Sequence, residues 1–156
     1  MARTCIMSAA RVGRTFARLA SEVIERNRGI EGLKILGIER NGTHVARKLA
    51  TEISKIVSSD VEVSGLDVSA FRDDLAGVPE ATSQERSAEV TGRHVLLVDD
   101  VLQSGRTARA ALDAIVQLGR PLTIQFLVLI DRGHREYPIQ PDYVGKLVHT
   151  KHRERV

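Results

Sequence analysis

Apolar residues recur at helical spacing over Val12, Phe16, Leu19, Ala20, Val23 and Ile24, with Ser8 placed to cap the start and Gly29 to end it. Arg11, Arg14 and Arg18 fall on another face of that helix. The run 34–38 (KILGI) predicts a short buried strand; after a turn at 39–42, a second helix turns Val45, Ala46, Leu49, Ala50 and Ile53 inward. Residues 61–69 (VEVSGLDVS) alternate, as a strand wet on one face does. The stretch 94–98 (HVLLV) is continuously apolar, so it predicts a central strand buried on both faces. A third helix with Ala108, Ala111, Leu112, Ile115 and Leu118 follows, stopped by Gly119 and Pro121. Residues 123–130 (TIQFLVLI) give another strand, and in 131–146 two prolines and two glycines enforce turns. Alternating strands and helices imply an α/β fold with a mostly parallel sheet, flanking helices, right-handed crossovers and ligands at the carboxyl ends of the strands.

One stretch breaks this rhythm. Residues 72–92 are polar, contain Gly77 and Pro79 and show no sustained period, so they read as a long flexible loop of the kind that covers a site. The 156 residues suit a single domain, 1–156, with its own core. The lone Cys5 offers neither an internal disulfide nor a metal-ligand spacing, and is expected to be an inert thiol in a reducing, cytoplasmic setting. No stretch has the length of a membrane span, so no membrane partner is expected.

The net charge of +3 is unevenly spread: residues 1–30 hold six Arg against two Glu, whereas residues 60–100 hold ten acids against Arg72, Arg86 and Arg93. Such a basic end suits either a nucleic-acid contact or a solvated helix face. His149 and His152, in the tail, lack a metal constellation and read as solvated.

Chemistry concentrates in residues 95–107, VLLVDDVLQSGRT. Asp readily ends a strand or caps a turn. Two adjacent carboxylates also repel, so keeping both calls for a divalent cation, an Arg or sugar hydroxyls. The Ser104-Gly105-Arg106-Thr107 turn, opening onto a helix N-terminus, suits a phosphate. Hydroxyl acceptors beside a phosphate nest describe a ribose 5-phosphate.

This run closely resembles the phosphoribosyl-pyrophosphate signature of type I phosphoribosyltransferases. Segments 20–29, 66–75, 95–121 and 127–146, with FRDDL and DRGHRE among them, resemble the PyrR family of pyrimidine-operon attenuators that double as uracil phosphoribosyltransferases. The resemblance implies the type I phosphoribosyltransferase fold, with a small hood at about 131–148 and a flexible loop at about 72–92. It implies that Asp99 and Asp100 bind the ribose hydroxyls and assist Mg²⁺, which is held largely through phosphoribosyl pyrophosphate and water. Val101, Leu102, Gln103, Ser104, Gly105, Arg106 and Thr107 would form the 5-phosphate loop. Arg40, Asn41 and Gly42 would bind pyrophosphate, and Asp131, Arg132 and Gly133 would lie in the hood near the base. Arg14, Arg18, Arg26, Arg135 and Lys146 would meet an mRNA leader. Arg72 is the candidate for the leaving-group side once the loop closes. A homo-oligomer, dimer or higher, is expected.

The reaction so implied joins uracil and phosphoribosyl pyrophosphate to give UMP and pyrophosphate. Breaking the bond at C1 puts positive charge on the sugar and negative charge on the leaving group, a task for carboxylates, metal and Arg more than for a covalent nucleophile. Two other readings share these residues: a non-catalytic, nucleotide-responsive RNA-binding attenuator, and a purine phosphoribosyltransferase. The chain also departs from the family pattern. Glu39-Arg40-Asn41-Gly42 stands where the branch usually has Thr-Arg-Gly at the pyrophosphate turn, Gln103 replaces a Tyr, Ala17 and Ser21 replace Thr and His, and Gln140 replaces an Arg. The sequence also stops at LVHTKHRERV, ahead of the family's usual end, so a final strand is expected to be missing.

Overall fold

The computed structural model describes residues 2–72 and 89–156. Most of the expected cover loop, 73–88, lies outside the described residues. Its last part is anchored, because Val90 is fully buried and Gly92 N donates to Arg120 O.

Five strands form one parallel sheet in the order β2-β1-β3-β4-β5: β1 Leu33–Ile38, β2 Glu62–Leu66, β3 His94–Leu102, β4 Thr123–Asp131 and β5 Tyr143–Leu147. Helices α1 Ala9–Asn27 and α2 Asn41–Val57 cover one face, and α3 Arg106–Leu118 the other. The alternation of strand side chains divides the core accordingly. Leu96 and Val98 of β3 pack with Leu33 and Ile35 under α1 and α2, while Val95 and Leu97 join Leu36 and Ile38 under Ala110, Ala111 and Ile115 of α3. Ser8 caps α1 as its position predicts, its Oγ accepting from Arg11 N at 3.2 Å.

Three boundaries differ from the pattern of the sequence. Strand β2 is shorter than 61–69, because Asp67 accepts from Ser69 N and turns the chain into a short 3₁₀ segment, Ser69–Phe71. Strand β3 runs past 98 to Leu102, so the two acids lie within it. The segment read as turns between 131 and 146 contains β5, whose apolar signal is interrupted by Gly145; there a Cβ would stand 2.3 Å from Leu129 O, so only Gly fits.

The order in which strands are added reverses between β1 and β3. From β1 the chain crosses over one face to β2; from β3 it crosses over the other to β4. This divergence opens a crevice at the carboxyl ends of β1 and β3, where α/β sheets bind ligands. Strand β3 last pairs with β1 at Val98, yet it pairs with β4 as far as Leu102. The start of α2 occupies the place β1 vacates. A Cβ on Gly37 would lie 2.5 Å from Thr43 Cα, and one on Gly42 would lie 2.6 Å from Val98 O. The opposite edge is closed by charge: buried Lys34 donates to Glu62 at 2.8 Å, and Arg93 pairs with the same carboxylate at 3.1 Å.

Gly37→Ala sets a new methyl against backbone atoms that have no rotamer by which to yield. It is expected to destabilise the chain by about 2 kcal/mol, lowering the melting temperature by about 4–8 °C. Thermal and urea unfolding followed by circular dichroism measure it, and an unchanged midpoint would refute the close approach of α2 to β1.

Candidate functional site

Asp99 and Asp100 sit where β3 loses its β1 neighbour. Asp99 accepts from Asp100 N at 2.9 Å, and Asp100 from Val101 N at 2.8 Å, so both carboxylates are oriented by the backbone beside them. Burial, reinforced by the adjacent Asp100 carboxylate, pushes the Asp99 carboxyl from its ordinary 3.8 up to about 8. A cradle of main chain adjoins it, since a Cβ at Gly42 would stand 3.2 Å from Asp99 Oδ1.

Gln103, Ser104 and Gly105 form a loop leading from β3 into α3. Gly105 takes a left-handed conformation, φ +88°, and heads α3 without a side-chain cap. The first amides of a helix lack intrahelical acceptors, and they carry the positive end of its dipole. Helix α2 likewise starts at Asn41 without a side-chain cap. Two helix N-termini thus flank the carboxylate pair. Ser104 Oγ accepts from Arg106 N at 3.2 Å, which shapes the turn.

The segment after β4 grips this loop. Arg132 N donates to Leu102 O, and the Glu136 and Tyr137 amides both donate to Ser104 O. Arg135 donates to Gln103 O at 3.0 Å, and Arg132 to the Gln103 side chain at 3.3 Å. The Arg106 guanidinium lies over the Tyr137 ring, donates to its hydroxyl at 2.9 Å and pairs with Glu136 at 2.5 Å. Glu136 and Tyr137 are absent from the sequence-derived set. Only the place of Glu136 at the end of DRGHRE, with Tyr137 next to it, could have pointed to them, because their contacts span about thirty residues.

Arg72 also reaches the loop. Its Nη1 lies 3.5 Å from Thr107 Oγ1, on the α3 side of the crevice. In the expected pyrophosphate turn, the peptide bond between Glu39 and Arg40 is cis, and Arg40 and Asn41 are exposed. The Glu39 side chain lies over β2, where the missing Cβ of Gly65 leaves room for its Oε1, and Glu39 N donates to Leu66 O.

Among the hood residues, buried Asp131 forms a two-point ion pair with Arg135 at 2.6 and 2.8 Å and accepts from Gly133 N. Burial pushes its carboxyl up, but Arg135 and that amide outweigh it, and the net shift is downward. Most of the basic residues assigned to RNA are engaged within the molecule. Arg18 ties α1 to the Val144 and Gly145 carbonyls, and Arg26 pairs with Asp142 and stacks on Tyr143. Lys146 donates to Ile6 O at 2.6 Å, and Arg135 is directed inward to Asp131. Arg14 alone of the five is exposed without a partner among the described residues. Among those residues no cluster of three His, Cys, Asp or Glu forms a metal site, and no helix is long and apolar enough to cross a membrane.

The family model described as the phosphoribosyl transferase domain matches residues 6–154. The chain is 51% identical over 148 residues to the bifunctional protein PyrR of Pelotomaculum thermopropionicum, covering 93% of this chain and 82% of that protein. With the bifunctional protein PyrR of Clostridium novyi it shares 46% over 148 residues, 93% of this chain and 83% of the relative. The fold is similar to a hypoxanthine phosphoribosyltransferase of Staphylococcus aureus (TM-score 0.76, 16% identity, 96% of this chain and 80% of that one). It is also similar to an HGPRT-ase of Leishmania tarentolae solved in complex with GMP (TM-score 0.73, 17% identity, 93% and 81%).

Between pH 3.8 and about 8 the folded chain holds a proton on Asp99 that the unfolded chain releases, so this carboxyl withdraws stability as the pH rises through that window. Asp99→Asn abolishes the effect. The ligand-free variant is expected to melt close to the parent at pH 5 and at least about 4 °C above it at pH 8. Differential scanning calorimetry at both pH values decides; a gap that stays constant or shrinks would refute the buried, protonated Asp99.

Proposed function

The chain belongs to the phosphoribosyl transferase domain family and, within it, to the PyrR proteins, and on that premise we propose that it transfers phosphoribose from phosphoribosyl pyrophosphate to uracil, giving UMP and pyrophosphate. The observation that carries the reading is the carboxylate pair Asp99–Asp100 standing between two uncapped helix N-termini at the sheet's switch point. Phosphate at the start of α3 and ribose hydroxyls on the carboxylates use that arrangement without further parts.

In this reading Ser104, Gly105, Arg106 and Thr107 hold the 5-phosphate through their backbone amides and hydroxyls, with Arg72 beside Thr107 adding positive charge on the same side. The Arg106 guanidinium, tied to Glu136 and Tyr137, fixes the loop against the hood. Asp100, and Asp99 once deprotonated, lie along the sugar and stabilise the positive charge that develops at C1. Arg40, Asn41 and Gly42 offer the start of α2 to the leaving pyrophosphate, and Glu39, turned over Gly65, is kept from opposing it at close range. The hood, about 131–148, meets the phosphate loop through residues 132–137 and supplies the base pocket.

Mg²⁺ fits the donor set, because Asp99 and Asp100 provide the hard carboxylate oxygens it takes, in company with water and substrate phosphates. When bound, Mg²⁺ neutralises charge on the pyrophosphate. Burial pushes the Asp99 carboxyl up, and a nearby cation would favour its ionised form by lowering that value again.

A second activity, recognition of an mRNA leader in transcription attenuation, rests on α1, where Arg11 and Arg14 are exposed on one face. Arg18 and Lys146 shape that surface by fixing β5 and the N-terminal segment.

Pyrophosphate release in the presence of Mg²⁺ and phosphoribosyl pyrophosphate is expected with uracil, and not with hypoxanthine or guanine. Asp100→Asn is expected to lower kcat/KM at least about a hundredfold. Turnover with a purine alone would transfer the assignment to that base, and no turnover with any base would leave the regulator. For the second activity, Arg14→Ala is expected to weaken RNA binding equally for different leader sequences, and to reduce the slope of log K against log salt by about 1. Filter binding across a salt series reads both; an unchanged slope removes Arg14 from the contact.

A further inference from the structure

Arg132 is 7% exposed, and its guanidinium has four oxygen partners, none of them a carboxylate. The neighbouring carboxylate, Asp131, is taken by Arg135. One partner, the Gln103 side chain at 3.3 Å, belongs to the phosphate loop. The other three belong to the exposed turn at 150–154: Thr150 Oγ1 at 3.1 Å, Lys151 O at 3.3 Å and Glu154 O. That turn is closed on itself, with Glu154 N donating to Lys151 O and Lys151 N to the Glu154 carboxylate at 2.6 Å. His134 adds a contact to Thr150 O at 2.6 Å.

A buried cation with neutral partners depends on all of them, since a lost acceptor leaves charge both desolvated and unpaired. Three quarters of these acceptors come from the turn. Without them the guanidinium must rotate toward other oxygens, and it takes the Gln103 side chain with it. Gln103 directly precedes the phosphate-binding residues, and a phosphate loop tolerates little looseness before its amides lose their aim.

We propose that Arg132 is a positioning residue that makes the turn at 150–154 part of the phosphate-loop scaffold, so that this turn sets the affinity for the nucleotide 5-phosphate without touching the nucleotide. The inference rests on the uracil phosphoribosyltransferase reading. It assigns Arg132, first placed near the base, a role in which its side chain points to the tail and its main-chain amide to Leu102 O.

The test compares UMP with uridine, which lacks the phosphate, by isothermal titration calorimetry on three variants: a chain ended after Thr150, Thr150→Val and Thr150→Ser. Ending the chain is expected to weaken UMP about tenfold and Thr150→Val about threefold, with uridine changing less than twofold. Thr150→Ser keeps the acceptor and is expected to match the parent. In turnover, KM for phosphoribosyl pyrophosphate rises by the same factors and kcat stays within twofold, a split that a general loss of fold would not give. If UMP and uridine weaken together, or if UMP is unaffected in the shortened chain and in Thr150→Val, the role of Arg132 is overturned. If the parent chain binds no UMP at all, the functional reading falls and this inference with it.

Discussion

Strand β3 outlasts β1. The four residues by which it does so carry the acids and lead into the phosphate loop, and the space left by β1 is taken by the start of α2. The replacement works only because Gly37 and Gly42 let two backbones meet where any side chain would intrude. A parallel sheet normally satisfies the flank of a strand with another strand. Here that flank faces a helix terminus, which returns positive potential where a strand would return none. The carboxylates therefore lie in a site of mixed sign, with acid at its centre and two helix N-termini at its edges. That pattern complements a sugar carrying phosphates at both ends.

The sheet and its three helices were legible because their apolar periods are strong and rarely interrupted, and the carboxylate pair with its following turn was legible because it is contiguous. Two kinds of information were not. Strand β5 is short and contains Gly145, whose reason lies in a carbonyl of β4 rather than in its own neighbours. The partners of the basic residues were equally hidden. A list of arginines on a helix describes a surface only if they point outward, whereas Arg18, Arg26 and Arg135 each bind a group far along the chain or across a turn. Arg72 was expected on the leaving-group side as part of FRDDL, and the neighbour that only the fold reveals is Thr107, thirty-five residues away.

The hood and phosphate loop are bound to one another at nearly every residue from Leu102 to Arg106. In the proposed reading a base pocket on the hood and a phosphate pocket on the loop would share a frame, their distance set by hydrogen bonds within the protein. This suits recognition of a nucleotide as a whole: each end can be read by a separate element, while the spacing is read by neither.

Burial and the neighbouring Asp100 push the Asp99 carboxyl up, so it holds its proton more firmly than an exposed carboxyl does. A divalent cation would compete with that proton for the carboxylate. Free metal at ordinary concentrations thus meets a competitor, while metal arriving with a polyphosphate has its own charge balance and additional grips at the helix termini. In the proposed reading, a cation that arrives bound to a polyphosphate gains grips at two helix termini that a bare ion lacks.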